Sequence, residues 1–157
     1  MGDLCGDMAN EQLKQLAKDL SKEPPRSPRD TIAGYVIAAR MLDKCRAVIA
    51  ETNDEYHFDC PLDRLFFDFT EIDSHTFREF VATGATDKEV ENFIERHAKK
   101  REKIEIIKWN NDLRYKSIAD MPDELQEFLE GYIKEYVPKH RPVYVWFDVY
   151  DLEEGRL

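Results

Sequence analysis

Cysteine is scarce: Cys5, Cys45 and Cys60 form an odd set with no CxxC pair. That excludes the paired framework with which small secreted domains are stapled. Long apolar runs are missing too, since no window reaches the ~18–20 apolar residues of a membrane span. No charged-then-apolar leader opens the chain. A surplus of basic residues is absent, the formal net charge being -10, whereas nucleic-acid binders draw most of their affinity from neutralising phosphates. There is no GxGxxG, no Walker loop, no GxSxG and no HExxH. No internal repeat or low-complexity tract is present. The expectation is a soluble cytoplasmic protein with neither a nucleic-acid nor a membrane partner. No cofactor or metal is implied, and enzymatic activity is left unassigned.

What is present is periodic. At 157 residues the chain suits one domain, able to bury roughly 68–70% of its unfolded surface. Residues 1–8 read as a flexible N-terminus, and 9–157 as a single helical domain. Leu13, Leu16, Ala17 and Leu20 share one face of a first helix from about Asn10 to Leu20. Ser27 before Pro28 reads as an N-cap with proline at the first helical position, opening a central helix over about 28–50. Between Ile32 and Leu42 that helix is apolar almost all round, as a helix covered on several sides would be.

Further starts follow from Cys60-Pro61 and from Asp73, the second with Gly84 as a stop. Thr86 with Glu89 fits a capping box for a long helix to about Arg114. Pro122 opens another, with Leu125, Phe128, Leu129, Tyr132, Ile133 and Tyr136 at helical spacing, ended by Pro138. The tail has two readings. Val143, Val145, Phe147 and Val149 alternate at strand period, which pairs 143–150 with 55–59 in a small two-stranded β element. Alternatively a packed helix puts Val145, Val149 and Leu152 inward. The fold class is mainly α, an irregular multi-helix bundle around the central helix.

Four places interrupt the hydrophobic pattern with polar residues. Arg40, Asp43 and Arg46 succeed one another at i, i+3 spacing, so they can meet along one face. They make either an intrahelical ion-pair string or a pocket in which Arg40 grips an anion and Asp43 orients it. Tyr56-His57-Phe58-Asp59-Cys60-Pro61-Leu62-Asp63 sets His57, Cys60 and Asp63 close together. They are too few and too irregularly spaced for a zinc site, and helix capping by Cys60 and Asp63 is the plainer account. On the long helix His97 and Arg101 fall in line with Val90, Phe93 and Ile94 and point inward, with Asn110, Asn111 and Arg114 further on. In the tail, Trp146 and Asp148 belong to a run of aromatics interleaved with carboxylates, which suits a flat or cationic ligand or an interface anchor.

Four stretches resemble an uncharacterised bacterial family, domain of unknown function 5069. They are Pro24-Pro-Arg-Ser-Pro-Arg29, Gly34-Tyr-Val with Arg40-Met-Leu-Asp-Lys44, Tyr56-His-Phe with Cys60-Pro-Leu-Asp63, and the tail from Tyr144 to Arg156. The resemblance runs from about Leu20 to the C-terminus and implies a bacterial, cytoplasmic origin, with no activity attached. The leading functional expectation is a non-catalytic module binding a small anionic ligand or a protein partner through Arg40, Asp43, His57, Trp146 and Asp148. One alternative is a small enzyme with His57 or Asp43 as acid–base group and Arg40 as anion stabiliser. Another is an interaction subunit, for instance a homodimer.

Overall fold

A tight turn decides where the central helix begins. Ile32 and Tyr35 exchange backbone hydrogen bonds of 3.3 and 3.1 Å across Ala33 and Gly34, whose φ values are 55 and 85. Two successive residues at positive φ are the requirement of a hairpin turn of type I′, and glycine meets it without steric cost. Ile37 is also left-handed, at φ 75, and its N–H is held by the Pro28 carbonyl at 2.8 Å. The helix expected from residue 28 therefore starts only at Ala38. Ser27 opens a turn instead, its hydroxyl accepting from the Arg29 N–H at 3.1 Å. Only the second half of the apolar run is buried helix; residues 32–37 form a largely buried loop whose tip, Gly34, is exposed.

The computed structural model describes residues 4–157, with side chains from Met8 onward. Its helices are α1 (Leu4–Leu16), α2 (Ala38–Ile49), α3 (Pro61–Thr70), α4 (Ser74–Val81), α5 (Asp87–His97), α6 (Lys103–Arg114), α7 (Asp123–Tyr136) and α8 (Trp146–Glu153). The mainly helical class is thus as expected. No strand occurs among the described residues, so the expected two-stranded element of 55–59 with 143–150 is not formed; the isolated bridges described join Ile32 to Tyr35 and Ser117 to Val145 instead. The tail takes its helical reading as α8, with Val149 and Leu152 buried. Of the flexible stretch expected over residues 1–8, Met1–Asp3 lie outside the described residues, and Leu4 to Met8 open α1. The chain gathers into two compact units that divide between Arg101 and Glu102.

In the first unit α2 packs on α1, α3 and α4, and every residue from Ala38 to Ala47 is buried. It is central, as expected. Around it Phe66, Phe67 and Phe77 lie edge to face, with ring centroids 5.4 and 5.6 Å apart, the arrangement that ring quadrupoles favour. The local signals work well here. Pro61 occupies the first turn of α3, Asp73 accepts from the Thr76 N–H to cap α4, and Thr86 and Glu89 form the capping box of α5.

The stop after α4 depends on Gly84, at φ 85. A Cβ there would lie 3.0 Å from the Ala9 carbonyl oxygen and 3.2 Å from the Gln12 Cβ. Gly84→Ala is expected to destabilise the protein by about 1–3 kcal/mol, read as a lower midpoint in denaturant. An unchanged midpoint would show that α1 does not bear on this turn.

The long helix expected over 86–114 is two helices. Ala98 is extended, at φ -66 and ψ 145, and the next N–H, of Lys99, donates to the Thr70 carbonyl at 2.8 Å. In the second unit a small core of Val137, Val149 and Leu152 is flanked by Ile118, Tyr132, Ile133 and Val143. Asp148 begins α8 by accepting the N–H groups of Tyr144 and Val145 at 2.9 and 3.1 Å.

Candidate functional site

The polar trio on α2 does not form a self-contained string; its members reach to partners far along the chain. The Asp43 carboxylate takes Arg26 side-on, with Nη2 at 3.0 Å, Nε at 3.1 Å and the Arg26 backbone N–H at 2.8 Å. Lys18 Nζ stands 3.7 Å away. Arg46 donates to Asp87 at 2.8 Å and to the Ala85 carbonyl at 2.9 Å. Arg26 reaches the other oxygen of Asp87 at 2.9 Å. Arg26 is thereby shared between two carboxylates, joining the loop between α1 and α2 (17–37) to α2 and to the start of α5. Arg40 is buried, donates to the Arg26 carbonyl at 3.3 Å and lies over the Tyr56 ring, 5.6 Å from its centroid.

Asp87 gives this knot a pH signature. Burial pushes its carboxyl up, but Arg26 and Arg46 outweigh that and hold it below the ordinary carboxylate range. A depressed folded-state pKa contributes stability that is present above the unfolded value, about 3.9, and is lost as pH falls through the folded one. Asp87→Asn is therefore expected to lower the melting temperature at pH 7 and to lose that difference under strong acid. A gap that stayed constant down to the acid limit would remove the ionic account.

The second cluster joins α2 to the start of α3. Lys44 and Asp63, both buried, bring Nζ and Oδ1 to 2.9 Å, and Lys44 Nζ also donates to Cys60 Sγ at 3.2 Å. The other Asp63 oxygen accepts the Asp59 N–H at 3.0 Å. Cys60 occupies the N-cap of α3 without using its side chain as a cap. His57 is exposed and Tyr56 half-buried. Among the described residues no group of three or more His, Cys, Asp or Glu side chains is placed to hold a metal ion.

The inward register expected for His97 is not observed. Because α5 ends there, His97 is exposed, stacked on Phe93 at 4.1 Å with Nδ1 2.9 Å from the Phe93 carbonyl oxygen. Arg101 sits 4.1 Å over the Phe69 ring and donates to the Phe69 carbonyl at 3.0 Å. In the second unit Asn110 is buried, while exposed Asn111 accepts from Arg114 at 3.2 Å. Trp146 is half-buried, and its backbone N–H donates to the Lys116 carbonyl at 2.8 Å. The buried carboxylate Asp148 serves the start of α8.

What spacing did not single out is one face of α7. Phe128, Gly131, Tyr132, Glu135 and Tyr136 line an open groove of about 480 Å³. Phe128 is 62% exposed and Tyr136 51%, although both repeat at the spacing of core residues. Their rings lie 5.9 and 4.6 Å from that of Tyr132, whose hydroxyl donates to Glu153. A Cβ at Gly131 would meet nothing within 4 Å, so no contact with the described residues requires glycine there. The available signal was width: six large apolar residues in α7 cover more of its circumference than a small core can hide.

Residues 22–156 match the model of a protein family described as domain of unknown function (DUF5069). The chain belongs to this family. The matched span takes in both units of the DUF5069 chain and leaves the whole of α1 outside. No curated protein matches the chain. Three of the four stretches that carry the resemblance supply Arg26, Arg40, Asp43, Lys44, Cys60 and Asp63. In this DUF5069 chain those residues build the ionic clusters around α2. No helix among the described residues is long and apolar enough to cross a membrane.

Proposed function

We propose that this chain is a non-catalytic binding module, acting in the cytoplasm, which docks a lysine- or arginine-rich segment of a partner protein on the exposed face of α7. The observation that carries the reading is the aromatic groove lined by Phe128, Tyr132 and Tyr136. Large aromatics exposed side by side mark interaction sites more often than singly scattered apolar residues do. Gly131 deepens the groove at a cost of roughly 0.5–1 kcal/mol to an exposed helix, a cost that close approach by a partner would explain.

Charge selects the partner. The helix carries Asp123, Glu124, Glu127, Glu130 and Glu135 against the single base Lys134, so a second copy presenting the same face would be repelled. A cationic segment would gain from both the acids and the ring faces. The acid–base alternative is weaker because both Asp43 oxygens are taken by Arg26. The anion pocket at Arg40 is weaker because that side chain is enclosed.

The test is a titration of isotopically labelled protein with an amphipathic Lys/Leu peptide at physiological salt. Shifts are expected to cluster on residues 124–136, and Phe128→Ala is expected to weaken binding at least ten-fold, about 1.4 kcal/mol. Shifts spread evenly over all surface carboxylates, or affinity unaffected by Phe128→Ala, would reject the site.

A further inference from the structure

We propose that Lys44 and Cys60 form an oxidant-responsive pair: a peroxide oxidises the Cys60 thiol, and the Lys44 amine then closes on the sulfur in a reversible sulfenamide cross-link between α2 and the start of α3. Three observations carry it. The nitrogen is already 3.2 Å from Sγ, and its side chain is only 4% exposed, so it cannot swing away into water. Cys60 is half-buried and its sulfur makes no capping bond to α3, which leaves it open to a small oxidant. Asp63 Oδ1, 2.9 Å from Nζ, is placed to take the proton the ammonium must lose before it can attack.

The steps balance. Thiol and peroxide give the sulfenic acid and one water, the sulfur losing two electrons and the peroxide gaining them. Lys44 passes a proton to Asp63 and its nitrogen attacks sulfur. The S–N bond forms as the S–O bond breaks, and the departing hydroxide takes a second proton from nitrogen and leaves as water. Asp63 is left protonated and releases that proton to solvent. A thiol reductant reverses the link by attack on sulfur. Cys45 is a poor rival to the amine, because burial pushes its thiol up to about 12, and it is the thiolate that attacks sulfur.

The full chain would be treated with hydrogen peroxide, quenched, and cut with a glutamyl endopeptidase, which cleaves at Glu51 and Glu55 and so separates the two segments. The expected product is a peptide pair joined through Lys44 and Cys60, with the summed mass less two hydrogens, which dithiothreitol separates. In Lys44→Arg, which keeps a cation facing Asp63, Cys60 is expected instead to accumulate as a sulfenate captured by dimedone. Dimedone capture in the native chain as complete as in the variant, with no cross-link, overturns the proposal. So does a cross-link that retains an oxygen atom, or one that uses Cys5 or Cys45. If Lys44→Arg fails to fold, the mass of the native product alone decides.

Discussion

Asp63→Ala is expected to destabilise the protein by about 3–5 kcal/mol, because it strands the Lys44 ammonium in the core without its counter-charge. Asp63 is 0% exposed, and the substitution also removes the acceptor for the Asp59 N–H. The size of the effect comes from the unpaired charge rather than from any large net worth of the pair. Taking two ions out of water costs nearly as much as their attraction returns, so Lys44→Met combined with Asp63→Leu is expected to recover most of the loss. Denaturant unfolding of both single variants and the double variant would check this. A loss under about 1 kcal/mol for Asp63→Ala, or a double variant as weak as the worse single, would mean that water reaches Lys44.

Phe77→Ala should cost a similar amount, about 3–5 kcal/mol, for a different reason. Its ring is fully buried and touches three others, with centroids 5.6 Å from Phe67, 6.1 Å from Phe93 and 6.3 Å from Phe58. Truncation leaves a cavity among rings from the link before α3, from α3 and from α5, which pack closely and relax poorly. Phe128→Ala, by contrast, should stay within about 0.5 kcal/mol, as surface substitutions usually do. That contrast separates a ring kept for stability from one available for binding. Equal losses at both positions would mean that the α7 face is covered in solution.

Four helix starts set by one local interaction were legible: Pro61 for α3, Asp73 for α4, Thr86 with Glu89 for α5 and Pro122 for α7. The start of α2 was not. An apolar run looks alike in a buried loop and a buried helix, and what separates them here is the left-handed backbone of Ala33, Gly34 and Ile37. The break after α5 carries neither glycine nor proline, since it is fixed by the Thr70 carbonyl, distant in sequence. The tail satisfied the strand period, yet Asp148 caps its own segment into a helix.

The same division holds for the site. Spacing located Arg40, Asp43 and Arg46, but their principal partners are Arg26, Tyr56 and Asp87. These lie 14–41 residues away, or outside any periodic pattern. Cys60 and Asp63 were found as helix-start residues, while Lys44, the group that gives them chemistry, lay inside a helical face with nothing to mark it. The α7 groove was hidden for the opposite reason. Its rings repeat at core spacing, and only the small extent of the second unit's core leaves them outside.

Ile37 bears on how freely this chain can vary. A β-branched residue at φ 75 and ψ -34 sits in a backbone region that glycine would occupy more easily, yet its side chain is 0% exposed. Glycine there would relieve the backbone and empty the core; asparagine would bury an amide. Valine keeps the strain while giving up a methylene. Each remedy for one demand worsens another, so in a saturation library position 37 should be among the narrowest in the chain.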